Sequence, residues 1–199
     1  MTTPHIALII LAAGDSSRMC LPKQLLPYRR KSMLQHTVDE AVASKAHSVY
    51  TVLGANTDQI TTKLRSLRTQ IITNPDWKEG MSSSIRAGIA ALPDEVDGAI
   101  VSLCDQPMIR STVFDGLIAT FHASQKSIVA CEYGETRGVP ALFAKSLFPD
   151  LMSLRGHQGA KTIILRDTSV VTTIPFEGGQ VDIDTPEDYR KLIEREFKR

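Results

Sequence analysis

An α/β fold with a mostly parallel sheet follows from two features of the sequence. Short apolar runs of strand length recur along the chain, and the stretches between them carry apolar residues at helical spacing. Strands alternating with helices of about ten to fifteen residues make βαβ units, which place helices against a parallel sheet. The strand runs fall at residues 6–11, 49–53, 70–73, 99–103, 127–130 and 169–174. The first is apolar without a break, as in a strand covered on both faces.

Among the helices, Leu34, Val38, Ala41 and Val42 fall at i, i+4, i+7 and i+8 and lay one stripe along a helix. Ile60, Leu64 and Leu67 repeat the pattern, as do Ile85, Ile89 and Leu92, then Val113, Leu117, Ile118 and Phe121. The C-terminal TPEDYRKLIEREFKR reads as a capped helix. Thr185 serves as N-cap, Pro186 fits the first turn, and Glu187 and Asp188 suit the positive end of the helix dipole. No repeat, low-complexity run or linker divides residues 1–199, which therefore read as one domain.

Charged residues make up 23% of the chain and hydrophobic ones 42%, as in an ordinary soluble protein. With 23 Lys+Arg against 22 Asp+Glu, there is no basic footprint of a nucleic-acid binder or polybasic membrane anchor. The first apolar run is too short to span a bilayer. Cys20, Cys104 and Cys131 are odd in number and widely separated, which argues against a disulfide framework or a structural zinc site. A reducing cytoplasm is the expected location.

In an open α/β sheet, ligands bind beyond the carboxyl ends of the strands, so the loops after strands are where chemistry is expected. The loop after the first run reads LAAGDSSRMCLPK. It matches neither the G-x-x-x-x-G-K-[ST] phosphate loop nor the G-x-G-x-x-G dinucleotide fingerprint. It does hold a turn at Gly14, two serines (Ser16 and Ser17) and two cations (Arg18 and Lys23). Successive amides at such a turn make an anion-binding concavity. An arginine fork and a lysine point charge suit triphosphate oxygens, and Pro22 stiffens the loop ahead of Lys23.

Three further segments carry chemistry. Asp105, in LCDQP after a strand, is placed to bind Mg²⁺, a hard cation that takes one or two carboxylates plus substrate phosphates. VDIDTP supplies Asp182 and Asp184, which alternate along an extended segment and share a face unless one of them caps the C-terminal helix instead; one of the two is expected to be structural. Gly80, Met81, Ser82, Ser83 and Ser84 precede a helix whose positive end presents amides. Arg86, one turn beyond Ser82, either reaches a phosphate or lies on a solvated face. The five histidines show no metal spacing, and His36 and His122 read as packed or surface residues.

LAAGDSSRMCLPKQLLP resembles the L-A-[AG]-G-x-S-x-R-M-G-x-P-K-x-L-L-P stretch of the MobA-like nucleotidyltransferases. NPDWKEGMSSSIRAG (74–88), CDQP (104–107), RGVPALF (137–143) and DIDTPEDY (182–189) extend the resemblance in the family's order. Within the family the likeness is closest to the molybdenum-cofactor (molybdopterin) cytidylyltransferases. The resemblance implies a Rossmann-like three-layer α/β/α fold and transfer of CMP from CTP to the phosphate of molybdopterin, with Mg²⁺ as cofactor. It implies that Leu11, Ala12, Ala13, Gly14, Ser16, Ser17, Arg18, Lys23 and Gly80 to Ser84 bind the nucleotide. Arg18, Lys23 and Asp105 are then catalytic, and Asp105 with Asp182 or Asp184 holds the metal. Arg137 and Gly138 line the acceptor side, and LAAG rather than LAGG favours CTP over GTP through Ala13. A transient contact with a molybdoenzyme or its chaperone also follows from the resemblance. Cys20 stands where the family has glycine, and His157, in GHQGAK, replaces a family acid; the latter bears on acceptor recognition. GTP, a sugar or methylerythritol phosphate acceptor, and a non-catalytic nucleotide-binding protein remain the alternatives.

Overall fold

The computed structural model describes residues 4–19, 21–63 and 68–197. The chain runs β1 (Ile6–Leu11), a short hairpin of β2 (Pro27–Tyr28) and β3 (Lys31–Ser32), then α1 (Met33–Val42), β4 (Ser48–Leu53), α2 (Thr57–Lys63) and β5 (Gln70–Thr73). It continues through α3 (Met81–Ala90), β6 (Gly98–Leu103), α4 (Ser111–Ala123), β7 (Ile128–Tyr133) and β8 (Thr136–Ala144). The last elements are α5 (Phe148–Ser153), α6 (Lys161–Arg166), β9 (Val171–Pro175) and α7 (Pro186–Phe197).

Seven strands form the main sheet in the order β5-β4-β1-β6-β8-β7-β9. β1 pairs in parallel with β4 and β6, and only β8 runs against its two neighbours. Every residue of β1 is buried because the strand feeds two cores. Ile6, Leu8 and Ile10 pack with α1, α2 and α4, whereas Ala7, Ile9 and Leu11 pack with α3, α5 and α6. The expected three layers are thus formed, and the unbroken apolar run at the N-terminus is their centre. Gly88 lets α3 approach β1 closely, since a Cβ there would stand 2.7 Å from Ile9 Cγ2.

The chain leaves β1 toward β4 on one side and later returns to β6 on the other. The loops after β1 and β6 therefore diverge, which opens a crevice at the carboxyl end of the sheet. α7 does not pack on the sheet. It covers the β2–β3 hairpin, where Leu192 and Ile183 meet Leu26, Tyr28 and Met33, and Arg29 bonds Glu196 at 2.7 Å. As expected, Thr185 caps α7: its Oγ1 accepts from the Asp188 amide, and the Asp188 carboxylate accepts from the Thr185 amide at 2.9 Å.

Several elements differ from expectation. β8 is an added strand, because Gly138 and Pro140 break the pattern of a central strand. It tolerates Pro140 because the β7–β8 register shifts there, from Ala130 opposite Ala141 to Cys131 opposite Gly138. β7 is longer than the apolar run that signals it, and β9 is displaced by two residues at its start. α5 and α6 have six residues each, too short to show a stripe. Cys20, Leu64 and Leu67 lie outside the described residues, as does the end of the C-terminal helix pattern beyond residue 197.

His36, buried on α1, lies 3.2 Å from the Pro107 carbonyl through Nε2 and ties α1 to the loop after β6. Burial pushes its pKa below the ordinary histidine value. The unfolded chain therefore takes up a proton more readily. The His36 contribution to stability is full above about pH 6.5 and is lost as pH falls below it. Denaturant unfolding at pH 7.5 and 5.5 is expected to show a smaller acid loss in His36→Gln than in the wild type.

Candidate functional site

The loop that leaves β1 turns back on itself and is fastened by one buried side chain. Gln24 Nε2 donates to the carbonyls of Ala12 at 2.8 Å and Gly14 at 2.9 Å. Ser16 is the residue in the left-handed region (φ 58°), and its hydroxyl accepts from the Lys23 amide at 2.9 Å. Both ends of the loop are thus fixed to the start of β1's exit. Among the described residues the amides of Gly14, Asp15 and Ser16 have no hydrogen-bond partner, whereas the Ser17 amide is taken by the Asp15 carboxylate at 3.0 Å. Three successive amides are thus left open at this turn, and Ser17 is not one of them. A Cβ at Gly14 would meet no protein atom within 4 Å, so the room above that residue belongs to the crevice.

Lys23 is the pivot of the site. Its Nζ lies 2.5 Å from Asp105 Oδ2, at the carboxyl end of β6, and 3.1 Å from Asp184 Oδ1, ahead of α7. Burial disfavours the Lys23 ammonium, yet the surrounding negative charge, led by Asp105 and joined by Cys104 and Asp184, outweighs it and holds its pKa above the ordinary lysine range. Arg18 reaches Asp184 Oδ2 at 3.2 Å while remaining largely exposed. The Ile183 amide donates to the Asp105 carbonyl at 3.0 Å, which fastens the two acidic segments together.

Asp182 stands on the other side of Ile183, and its carboxyl is pushed up to about 6, first by lost hydration and then by the negative charge of Asp105. Neither Asp182 nor Asp184 caps the helix; Thr185 and Asp188 do so. Asp105 Oδ1 is buried and has no hydrogen-bond partner among the described residues. No group of three or more His, Cys, Asp or Glu side chains is arranged to hold a metal among them. A hard divalent cation fits this set only with help from a ligand's phosphates, Asp105 Oδ1 and Asp184 supplying the protein oxygens.

These groups bound a cleft of about 480 Å³. Leu11, Ala12, Ala13 and Gly14 form one lip with Arg18 and Lys23, and Asp105 lies on the floor with Cys104. Gly80, Met81 and Ser84 form the facing wall. Ser16 and Ser17 open instead onto an adjoining recess shared with Asp184. Ser82 and Ser83 stand behind the wall: Ser82 Oγ donates to the Gly156 carbonyl and Ser83 Oγ to that of Gly80, both at 2.8 Å. The helix end is not an open row of donors, because the protein itself takes the amides of Gly80, Ser82 and Ser83.

Other assignments change in the structure. Arg86 is structural, bonding Glu79 at 2.5 Å and the Leu154 carbonyl at 2.9 Å. Arg137 and Gly138 are not brought to the cleft. Gly138 lacks a side chain for a packing reason, since a Cβ there would lie 2.2 Å from Tyr133 Oη. His157 does line the cleft, against Gly80, and so joins the wall of the serine helix rather than the β8 side. Trp77, Lys78 and Gln24 line it too; NPDW and PKQ sit within the quoted motifs, but nothing in their spacing marks these side chains.

Gly80 has φ 108° and ψ −170°, a region reserved for glycine, and a Cβ there would stand 2.6 Å from the Gly156 carbonyl oxygen. Gly80→Ala is expected to cost about 1–3 kcal/mol of stability and to shift the turn carrying His157. Denaturant titration reads the first effect.

A family model described as "MobA-like NTP transferase domain" matches residues 8–170. The chain is 29% identical to nicotine blue oxidoreductase of Paenarthrobacter nicotinovorans, over 96% of this chain and 97% of that protein. The fold superposes on the crystal structure of Rv0371c from Mycobacterium tuberculosis H37Rv with a TM-score of 0.86 and 28% identity, covering 98% of this chain and 100% of that one. A structure of Rv0371c in complex with manganese gives a TM-score of 0.82 at 27% identity, covering 96% and 98% of the two chains. The match over residues 8–170, most of the chain, makes this chain a member of the MobA-like NTP transferase family.

Proposed function

We propose that the protein transfers CMP from CTP to the phosphate of molybdopterin and releases pyrophosphate. The observation that carries the reading is Lys23 joined to Asp105 in the cleft and to Asp184 in the adjoining recess, beside the open amides of Gly14, Asp15 and Ser16. Such a set recognises a polyphosphate by charge and by backbone donors at once. The attacking group is an oxygen of the acceptor phosphate, already ionised near neutral pH. It forms a bond to the α-phosphorus of CTP as the bond from that phosphorus to the pyrophosphate oxygen breaks. No general base is needed, and among the described residues no serine or cysteine of the cleft hydrogen-bonds to a histidine.

Lys23 and Arg18 balance the charge that gathers on the departing pyrophosphate, while the Gly14 turn orients the triphosphate. Asp105 and Asp184 would hold Mg²⁺, which supplies charge neutralisation across the phosphates when bound. Ala13 on the lip supports CTP over GTP by the family resemblance.

The oxidoreductase name of the Paenarthrobacter relative, which this chain matches end to end, motivates a second reading as a redox protein. One assay separates the readings. The protein with Mg²⁺ and molybdopterin is offered CTP, GTP, ATP and UTP in turn, and pyrophosphate is measured; in parallel, NADH or NADPH is offered with a dye acceptor. Release with CTP alone supports the proposal, and release with GTP moves the base assignment. Nicotinamide oxidation without pyrophosphate release overturns it. Lys23→Ala is expected to lower turnover by on the order of 10²–10³ with the fold intact by circular dichroism. Removal of divalent metal with a chelator is expected to abolish turnover, and added Mg²⁺ to restore it.

A further inference from the structure

Asp105 and Asp184, the two acids assigned above to a divalent cation, are already engaged by the protein's own cations. Lys23 Nζ lies 2.5 Å from Asp105 Oδ2 and 3.1 Å from Asp184 Oδ1, and Arg18 Nη2 lies 3.2 Å from Asp184 Oδ2. Three of the four carboxylate oxygens are therefore taken, and Asp105 Oδ1 is the one that meets no donor among the described residues. Lys23 touches both acids at once, as a divalent cation shared between them must.

The contacts differ in strength. The Lys23 and Asp105 side chains are only 16% and 14% exposed, so their attraction is little screened. Arg18 is 66% exposed, and its pair with Asp184 contributes correspondingly less. Both cations also have a second claim on them. Arg18, Lys23 and Asp184 line one recess with Gly14, Asp15 and Ser16, whose amides are open. A polyphosphate received at those amides meets the same two cations.

We propose that Lys23, with Arg18, is an internal stand-in for the metal, and that the site exchanges ion-pair partners when it takes a metal–triphosphate complex. Without a triphosphate, Lys23 keeps Asp105 and Asp184 from a free divalent cation. With one, the phosphate oxygens draw Lys23 and Arg18 away, and the two acids are released to the cation that accompanies the phosphates. Two positive and two negative side chains take part, so the exchange leaves no charge unpaired at either end. Metal and nucleotide affinity are then coupled through the protein, each raising the other by the same factor. The inference rests on the nucleotide reading above and adds why the site refuses the metal alone.

Metal binding reads this device without turnover. Mn²⁺ is titrated, with no nucleotide present, into wild-type protein, Lys23→Met, Arg18→Gln, Lys78→Met and the double variant Lys23→Met with Asp105→Asn. Free Mn²⁺ is followed by electron paramagnetic resonance. Lys78 is the control for charge in general, since it lines the same cleft but rests over Trp77, 5.5 Å from the ring centroid. Lys23→Met is expected to bind Mn²⁺ at least about tenfold more tightly than wild type. Arg18→Gln is expected to gain about two- to fivefold, and the double variant to fall back to the wild-type level or below. A lysine that merely braced its loop would, once removed, weaken metal binding or leave it unchanged.

Unchanged or weaker Mn²⁺ binding in Lys23→Met, a gain of the same size in Lys78→Met, or tight binding that survives Asp105→Asn overturns the exchange and leaves the nucleotide reading intact. If Lys23→Met does not fold, Arg18→Gln decides, and an unchanged affinity there overturns it. Separately, CTP, GTP, ATP and UTP with Mg²⁺ are titrated against the fluorescence of Trp77, the chain's one tryptophan, which lines the cleft. A wild type that responds to none of them overturns the nucleotide reading and, with it, the release step, whatever the Mn²⁺ result.

Discussion

The geometry of the site depends on one lysine held between two carboxylates that come from distant parts of the chain. Lys23 is mostly buried, and a buried ammonium is tolerable only when paired. Asp105, at the end of a core strand, supplies the nearer partner at 2.5 Å. Asp184 supplies the other and in turn recruits Arg18. Removing either acid leaves positive charge in a partly dry place, and removing the lysine leaves two carboxylates facing each other. The first loop, the exit of β6 and the segment before α7 are therefore mutually required, and the Ile183-to-Asp105 backbone bond gives that requirement a rigid form.

The fold was largely legible in the sequence because its central strands are buried on both faces and so cannot disguise themselves. β1, β4 and β6 read as apolar runs, and α1, α3 and α4 carry stripes that match the residues they bury. What stayed hidden follows a physical pattern. β8 is interrupted by Gly138 and Pro140, whose meaning emerges only when the register shift beside Cys131 is seen. α5 and α6 are shorter than two turns, too short for a periodic signal. Local pattern carries no account of a strand that keeps its pairing by bulging at its own Val139 and Pro140.

Within the site, the charged residues were legible and the neutral supports were not. Lys23, Asp105 and Asp184 come together in the fold, and the structure separates Asp184, which pairs with Lys23, from Asp182, which the sequence left equivalent to it. Gln24 and Asn74 are different. Each is an ordinary amide in sequence, yet one closes the first loop on its own carbonyls and the other sets two hydroxyls in the facing wall. Their importance comes from burial, which sequence position does not reveal for a polar side chain. Arg86 shows the converse: a cation at helical spacing from the serines turned out to brace α3 against Glu79 and the end of α5.

The clasp around Lys23 also has a temporal side. Lys23 and Asp184 are 161 positions apart, and the helix that steadies Asp184 rests on the small hairpin just after Lys23 rather than on the sheet. As the polypeptide leaves the ribosome, the sheet can assemble in order from its first strands, but the hairpin at residues 27–32 waits for its covering helix until Pro186–Phe197 emerges. Until then Lys23 can lean only on Asp105, and the hairpin's apolar face is bare. The pocket therefore acquires its charge balance only once α7 has emerged, so a nascent chain can hold a formed sheet well before it holds a formed site.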